Sequence, residues 1–162
     1  MFTTVSALIV MSVSQNPPAI PPDFDFWVGS WKVEGKSRNT AGKDEWTVTK
    51  GSNVIRKILK NQILEETFSM PGFEGKSWTT YHPKKKAWVQ TWVDDTAGYL
   101  TFEGGKEGNT VVLHQLMPQN QPVRMKMVFS NITKSSFDWN WSRSDDSGKN
   151  WQVMWQLKYT RK

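Results

Sequence analysis

The chain has 162 residues, a formal charge of +6 and no cysteine, with 37% hydrophobic and 22% charged residues. That describes one globular domain long enough to bury a core, and it excludes disulfides, thiolate nucleophiles and cysteine-based zinc sites. Ten tryptophans are the unusual feature; a packed Trp buries roughly 150–250 Å², so they imply either a very aromatic core or an aromatic-lined cavity. In chain order, residues 1–14 carry a short apolar run followed by small residues, "SALIVMSVS", which reads as a possible signal segment although no Lys or Arg precedes it. The run is too short to span a bilayer, which takes about 20 apolar residues. The expected location is therefore periplasmic or secreted, with cytoplasmic as the alternative. "QNPPAIPPD" holds four prolines in nine residues and reads as an extended linker, so residues 1–22 are set apart from a domain over 23–162.

After one helical turn in "DFDFW", strand signals follow almost without pause, broken by Gly, Pro, Asn and Asp clusters. The candidates are 31–38, 45–50, 54–59, 63–69, 75–81, 88–94, 99–103, 110–115, 123–130, 136–144 and 151–160. Ten or eleven short strands on hairpin-length links predict an all-β, up-and-down antiparallel sheet, and closure into a single barrel removes its two exposed edges. The helical turn is expected to close one end. Alternation supports a closed wall. In "WVQTWVD" Trp88, Gln90, Trp92 and Asp94 share one face. In the last strand Trp151, Val153, Trp155, Leu157 and Tyr159 are expected to do the same.

Gly29, between Trp27 and Trp31, permits the sharp passage from helical turn to first strand. Trp31 can then plug the closed end. This Gly-x-Trp opening resembles that of lipocalins and related calycins, in which an arginine near the end of the last strand packs across the tryptophan ring. Arg161 in "KYTRK" stands at the matching place, and a guanidinium over an indole is a favourable cation–π contact. The Phe-x-Phe-x-x-Gly-x-Trp start, "ILEETF", "WVQTWVDD" and "SRSDDSGKNW" together resemble a bacterial family of lipocalin-like domains of unknown function, from about Asp23 to the C-terminus. The resemblance implies a barrel with an internal cavity and no particular reaction.

In "SRSDDSGKNW", Ser144-x-Asp146-x-Gly148-x-x-Trp151 matches the Asp-box pattern of sialidase propellers. A single copy reads as a structural hairpin, with Asp146 capping backbone N–H groups, Gly148 at positive φ and Trp151 packing beneath. The two histidines are His82, in the "YHPKKK" turn, and His114. There is no HExxH and no calcium-loop spacing, so no metal is expected. A haem site like that of nitrobindin-like barrels would need a histidine after His114, so no cofactor is expected. Lys84, Lys85 and Lys86 cluster in a turn and not along one element, which argues against nucleic acid as the main partner.

Polar residues on the tryptophan-bearing faces carry the functional expectation. Burying them unpaired costs roughly 1–3 kcal/mol each. Either the tryptophan faces point outward and the polar atoms are in water, or they enclose an amphipathic cavity of the kind that holds small molecules. The leading expectation is a barrel binding a small, largely apolar or aromatic ligand. Trp88, Trp92, Trp139 and Trp155 would line the pocket, and Gln90, Asp94, Glu66 and Arg124 would orient the ligand. A second reading is an enzyme using Glu66 or Asp94, raised in pKa by the cavity, as general acid/base. A third and weaker one is single-stranded nucleic-acid binding by base stacking. A homodimer is compatible with any of these.

Overall fold

The computed structural model describes residues 19–38 and 46–162. The expected signal segment and most of the proline-rich linker lie outside the described residues, as does the start of the strand expected over 45–50. A 3-10 helix, Pro22–Trp27, leads into ten strands: β1 Gly29–Arg38, β2 Trp46–Ile58, β3 Ile63–Met70, β4 Phe73–His82, β5 Ala87–Asp94, β6 Tyr99–Glu107, β7 Thr110–Gln115, β8 Arg124–Ser130, β9 Ser136–Ser144 and β10 Gln152–Arg161. Each strand pairs antiparallel with its sequence neighbours, and β1 pairs with β10 to close the barrel. Closure leaves no edge strand to template aggregation.

Inward and outward residues alternate as a closed wall requires. In β3 Leu64, Glu66, Phe68 and Met70 are buried while Thr67 is exposed; in β4 Gly75, Ser77 and Thr79 are buried while Glu74, Lys76 and Trp78 are exposed. The two strands expected over 45–50 and 54–59 are one, β2, continuous through Gly51. "KGSN" has the composition of a turn, but Gly51 serves a close approach instead: a Cβ there would run into the Ser69 carbonyl and Met70.

β10 also corrects the expected alternation. Val153 pairs with Ser142 and Trp155 with Trp141, so Met154 is an extra residue and the strand bulges. A bulge reverses the face on which side chains emerge. Trp155, Leu157 and Tyr159 therefore face the interior, whereas Trp151 lies on the outer wall beneath the Lys126 ammonium, 4.1 Å from its ring centroid.

The 3-10 helix closes one end of the barrel. Phe24 and Trp27 are buried, and Phe24 meets Trp88 (4.9 Å, 72°) and Phe129 (5.3 Å, 87°) edge to face. Trp31 is completely buried against Phe137 (4.9 Å, 81°) and donates from Nε1 to the Trp27 carbonyl at 2.8 Å. Arg161 locks this end. Its guanidinium stands 4.2 Å over the Trp31 ring and donates to the carbonyls of Val28 (3.0 Å), Phe26 (3.2 Å) and Lys134 (2.9 Å). Gly29 has φ +138°, and a Cβ on it would collide with the Arg161 guanidinium, so both the backbone and the packing demand glycine.

Candidate functional site

Above the aromatic plug the barrel is hollow. A cavity of about 200 Å³ is bounded by Phe68, Phe73, Trp92, Trp139, Trp141 and Trp155 toward the mouth and by Trp27 and Phe129 at its floor. The mouth rings meet mostly at steep angles: Trp139–Trp155 at 5.6 Å and 89°, Phe68–Trp155 at 5.9 Å and 90°, Phe73–Trp155 at 5.8 Å and 72°. Phe73 and Trp92 stack at 6.1 Å. The hollow has a local cause. Between Phe73 and Tyr81 the inward positions of β4 are Gly75, Ser77 and Thr79, which bring little volume between the larger residues of β3 and β5.

Those small residues also make one side of the wall polar. Glu66 on β3 accepts from Ser77 Oγ at 2.5 Å through one carboxyl oxygen and from Asn53 Nδ2 at 2.6 Å through the other. Asn53 Nδ2 also reaches the Tyr159 hydroxyl at 3.3 Å. Gln90 Nε2 donates to Thr79 Oγ1 (2.8 Å) and to Ser77 Oγ (3.3 Å). The arc Tyr159–Asn53–Glu66–Ser77–Gln90–Thr79 is buried throughout, and Glu66, Gln90 and Tyr159 border the cavity. Asn53 Oδ1 and Trp27 Nε1 are buried without hydrogen-bond partners. Burial pushes the Glu66 carboxyl up, against the opposing effect of its Ser77 and Asn53 hydrogen bonds. Burial and the nearby Glu66 carboxylate likewise push the Tyr159 hydroxyl well above its ordinary range.

Asp94 behaves oppositely. It sits at the mouth and caps the turn after β5, accepting from Thr96 Oγ1 (2.6 Å), Thr96 N (3.0 Å), Gly98 N (2.9 Å) and Trp92 Nε1 (2.9 Å). These donors, Thr96 Oγ1 first, hold its carboxyl below the usual range and outweigh its partial desolvation. This is opposite to the raised carboxyl expected of Asp94 as a proton carrier beside Glu66. Its bond to Trp92 fixes one indole of the wall.

Of the residues expected to form the site, Glu66, Gln90, Trp92, Asp94, Trp139 and Trp155 border one cavity. Trp88 shares their inner face but belongs to the plug, packed on Phe24 with Nε1 donating to Asp23 at 3.1 Å. Arg124 pairs opposite Ser144, beside the inward Met125, and donates to the carbonyls of Val123 (2.8 Å) and Gln121, so it holds its own loop and cannot orient a cavity ligand. Asn53 and Trp141 are members of the site that the sequence reading passed over. Alternation from Trp139 points to Trp141, whereas Asn53 is hidden by the apparent turn at Gly51.

The Asp-box segment forms the hairpin before β10. Asp146 accepts from Ser144 Oγ (2.7 Å), Asn150 N (2.8 Å), Lys149 N (3.0 Å) and Asn150 Nδ2 (2.6 Å), which, led by the Asn150 N–H, lower its carboxyl to about 2. Gly148 takes φ +92° and its carbonyl accepts from Trp151 Nε1 at 3.0 Å. Among the described residues no group of three or more His, Asp or Glu is placed to hold a metal ion, and no helix is long and apolar enough to cross a membrane.

A family model described as "Protein of unknown function (DUF1579)" matches residues 24–161. A comparison with curated proteins gives no match. Among solved structures, Rv2717c from M. tuberculosis is similar in fold, with TM-score 0.59 and 10% identity over 89% of this chain and 99% of that one. A DUF3598-family protein of unknown function from Nostoc punctiforme aligns over 86% of this chain and 97% of its own at 8% identity, with a TM-score of 0.28 that carries no argument.

Proposed function

We propose that this chain, which belongs to the DUF1579 family, is a binding protein that holds a small, largely apolar or aromatic ligand inside the barrel. The observation that carries this reading is the cavity of about 200 Å³ with aromatic walls and a hydrogen-bonded polar arc on one side. Small-molecule sites have that character, and a dry apolar cavity of about 150 Å³ is enough to hold benzene. The size suits one or two rings and not a long lipid. The helical plug, the Gly29–Trp31 passage and the arginine over the indole support a calycin-like kinship, in which such interiors serve as ligand pockets. An exported location fits the reading of the leader.

Native mass spectrometry on protein purified gently from its own host tests the proposal. A stoichiometric adduct that disappears on denaturation is the expected result. A clean apo mass, together with no thermal shift against a panel of one- and two-ring aromatic compounds, would overturn it.

One observation favours a second reading, general acid/base catalysis on a bound molecule: Glu66 is a buried, cavity-facing carboxyl raised above its ordinary range. A Glu66 titration measured by carbon NMR above about pH 6 would support proton transfer near neutrality, and an ordinary value would remove it.

A further inference from the structure

Among the described residues the cavity is lined by two carboxyl groups and no Lys, Arg or His, in a chain whose formal charge is +6. Glu66 is enclosed by neutral groups alone: Asn53, Ser77 and, beyond them, Gln90 and Tyr159. Each salt bridge found among the described residues lies at the surface, and none involves Glu66. A buried acid without a counter-ion is costly, and proteins ordinarily pair such a group. Beside Glu66, Asn53 presents a second acceptor, Oδ1, with no partner. Toward the mouth Asp94 adds a carboxylate that its turn holds ionised. The same cavity wall carries the rings of Phe68, Trp92, Trp139 and Trp155, and the face of an indole or phenyl ring attracts a cation.

Resting on the binding function proposed above, we infer that the ligand is a cation, an ammonium or methylated ammonium carried on an aryl or short alkyl body. Its charged nitrogen would be set against Glu66 and its body would lie among Trp92, Trp139 and Trp155. The missing counter-charge then arrives with the ligand. The raised Glu66 carboxyl fits the same arrangement, since an ammonium beside it favours the ionised form that the empty barrel disfavours. The wall disfavours the opposite class: among the described residues a fatty acid or other carboxylate would meet two acids and no cation.

A matched series on the full chain separates this inference from the binding function itself. Tryptamine, tryptophol and indole-3-propionate share a ring and differ in charge. Their affinities are measured by isothermal titration calorimetry and by shift of the melting temperature. Tryptamine is expected to bind about thirtyfold more tightly than tryptophol, from a desolvated cation–π contact together with the carboxylate, and indole-3-propionate is expected not to bind. Glu66→Gln should collapse the preference for tryptamine to within about threefold of tryptophol. The wild-type series decides the matter even if that variant folds poorly.

Equal or tighter binding of tryptophol would overturn the charge assignment while leaving a binding protein, with the unpaired Trp27 N–H as the group that selects an acceptor. Tighter binding of indole-3-propionate would do the same. Silence of all three compounds would overturn the inference, and the binding function would then stand or fall on the adduct experiment and the broader panel above.

Discussion

The two ends of this barrel are built from the same residue types and end up as different things. At the closed end, Phe24, Trp27, Trp31, Phe129 and Phe137 are buried and pack edge to face. At the mouth, Trp92, Trp139, Trp141 and Trp155 stand around a hollow. Aromatic content therefore does not distinguish core from cavity. What differs is the filling. The 3-10 helix buries Phe24 and Trp27 at the closed end, whereas β4, after Phe73 at the mouth, sends only Gly75, Ser77 and Thr79 toward the hollow. Trp31, deep in the plug, is fully buried, whereas Trp155 packs on Phe68, Phe73 and Trp139 and turns its remaining surface to the hollow, where it forgoes contacts.

The sharpest way to break that comparison is to truncate one ring from each end. Trp31→Ala should cost about 3–5 kcal/mol in chemical denaturation, the range for emptying a filled site. Arg161→Ala, which removes three charged hydrogen bonds to carbonyls and the contact over Trp31, should cost about 1.5–3 kcal/mol by the same measurement. Trp155→Ala should cost only about 1–2 kcal/mol, since its ring already borders space; a loss equal to that of Trp31→Ala would show that the mouth is as tightly packed as the plug.

Smaller effects separate the two acids. The folded Glu66 carboxyl titrates above its unfolded value, so the folded state holds the proton more tightly. Its stabilising effect is complete below the unfolded value and is lost as pH rises through the folded one. Glu66→Gln should therefore raise the melting temperature relative to the parent at pH 8 and not at pH 4. Asp94 has the opposite sign: its contribution is present above the ordinary carboxyl range and is lost as pH falls. Asp94→Asn should cost about 0.5–1 kcal/mol near neutrality, with the difference from the parent shrinking in acid. Matching pH trends for the two variants would dissolve the distinction between cavity floor and rim.

Much of this was legible in the sequence because alternation is a strong signal where one face is dry. "ILEETF" puts Glu66 on the inward face, and "WVQTWVD" puts Gln90, Trp92 and Asp94 there. What stayed hidden depends on backbone detail. Trp88 obeys the same alternation, but height along the strand, not face, sends it to the plug. Arg124 is one residue away from the inward Met125. Asn53 follows a glycine that looks like a break and is a close approach. The face of Trp151 is decided by the single extra residue at Met154. Local composition carries no information about any of these, because each is settled by which strand lies alongside.

β4 makes cavity volume separable from cavity chemistry. The indoles and the larger members of the polar arc come from β2, β3, β5, β9 and β10, while β4 adds only the small Ser77 and Thr79 hydroxyls and so leaves room between them. A Cβ at Gly75 would press on the Trp92 ring, so a side chain there would narrow the cavity without changing the carboxyl groups that border it. Ser77 and Thr79 are different, because their hydroxyls hold Glu66 and Gln90. The size of the hollow is thus set at a single glycine of one strand, apart from the groups that give the wall its charge.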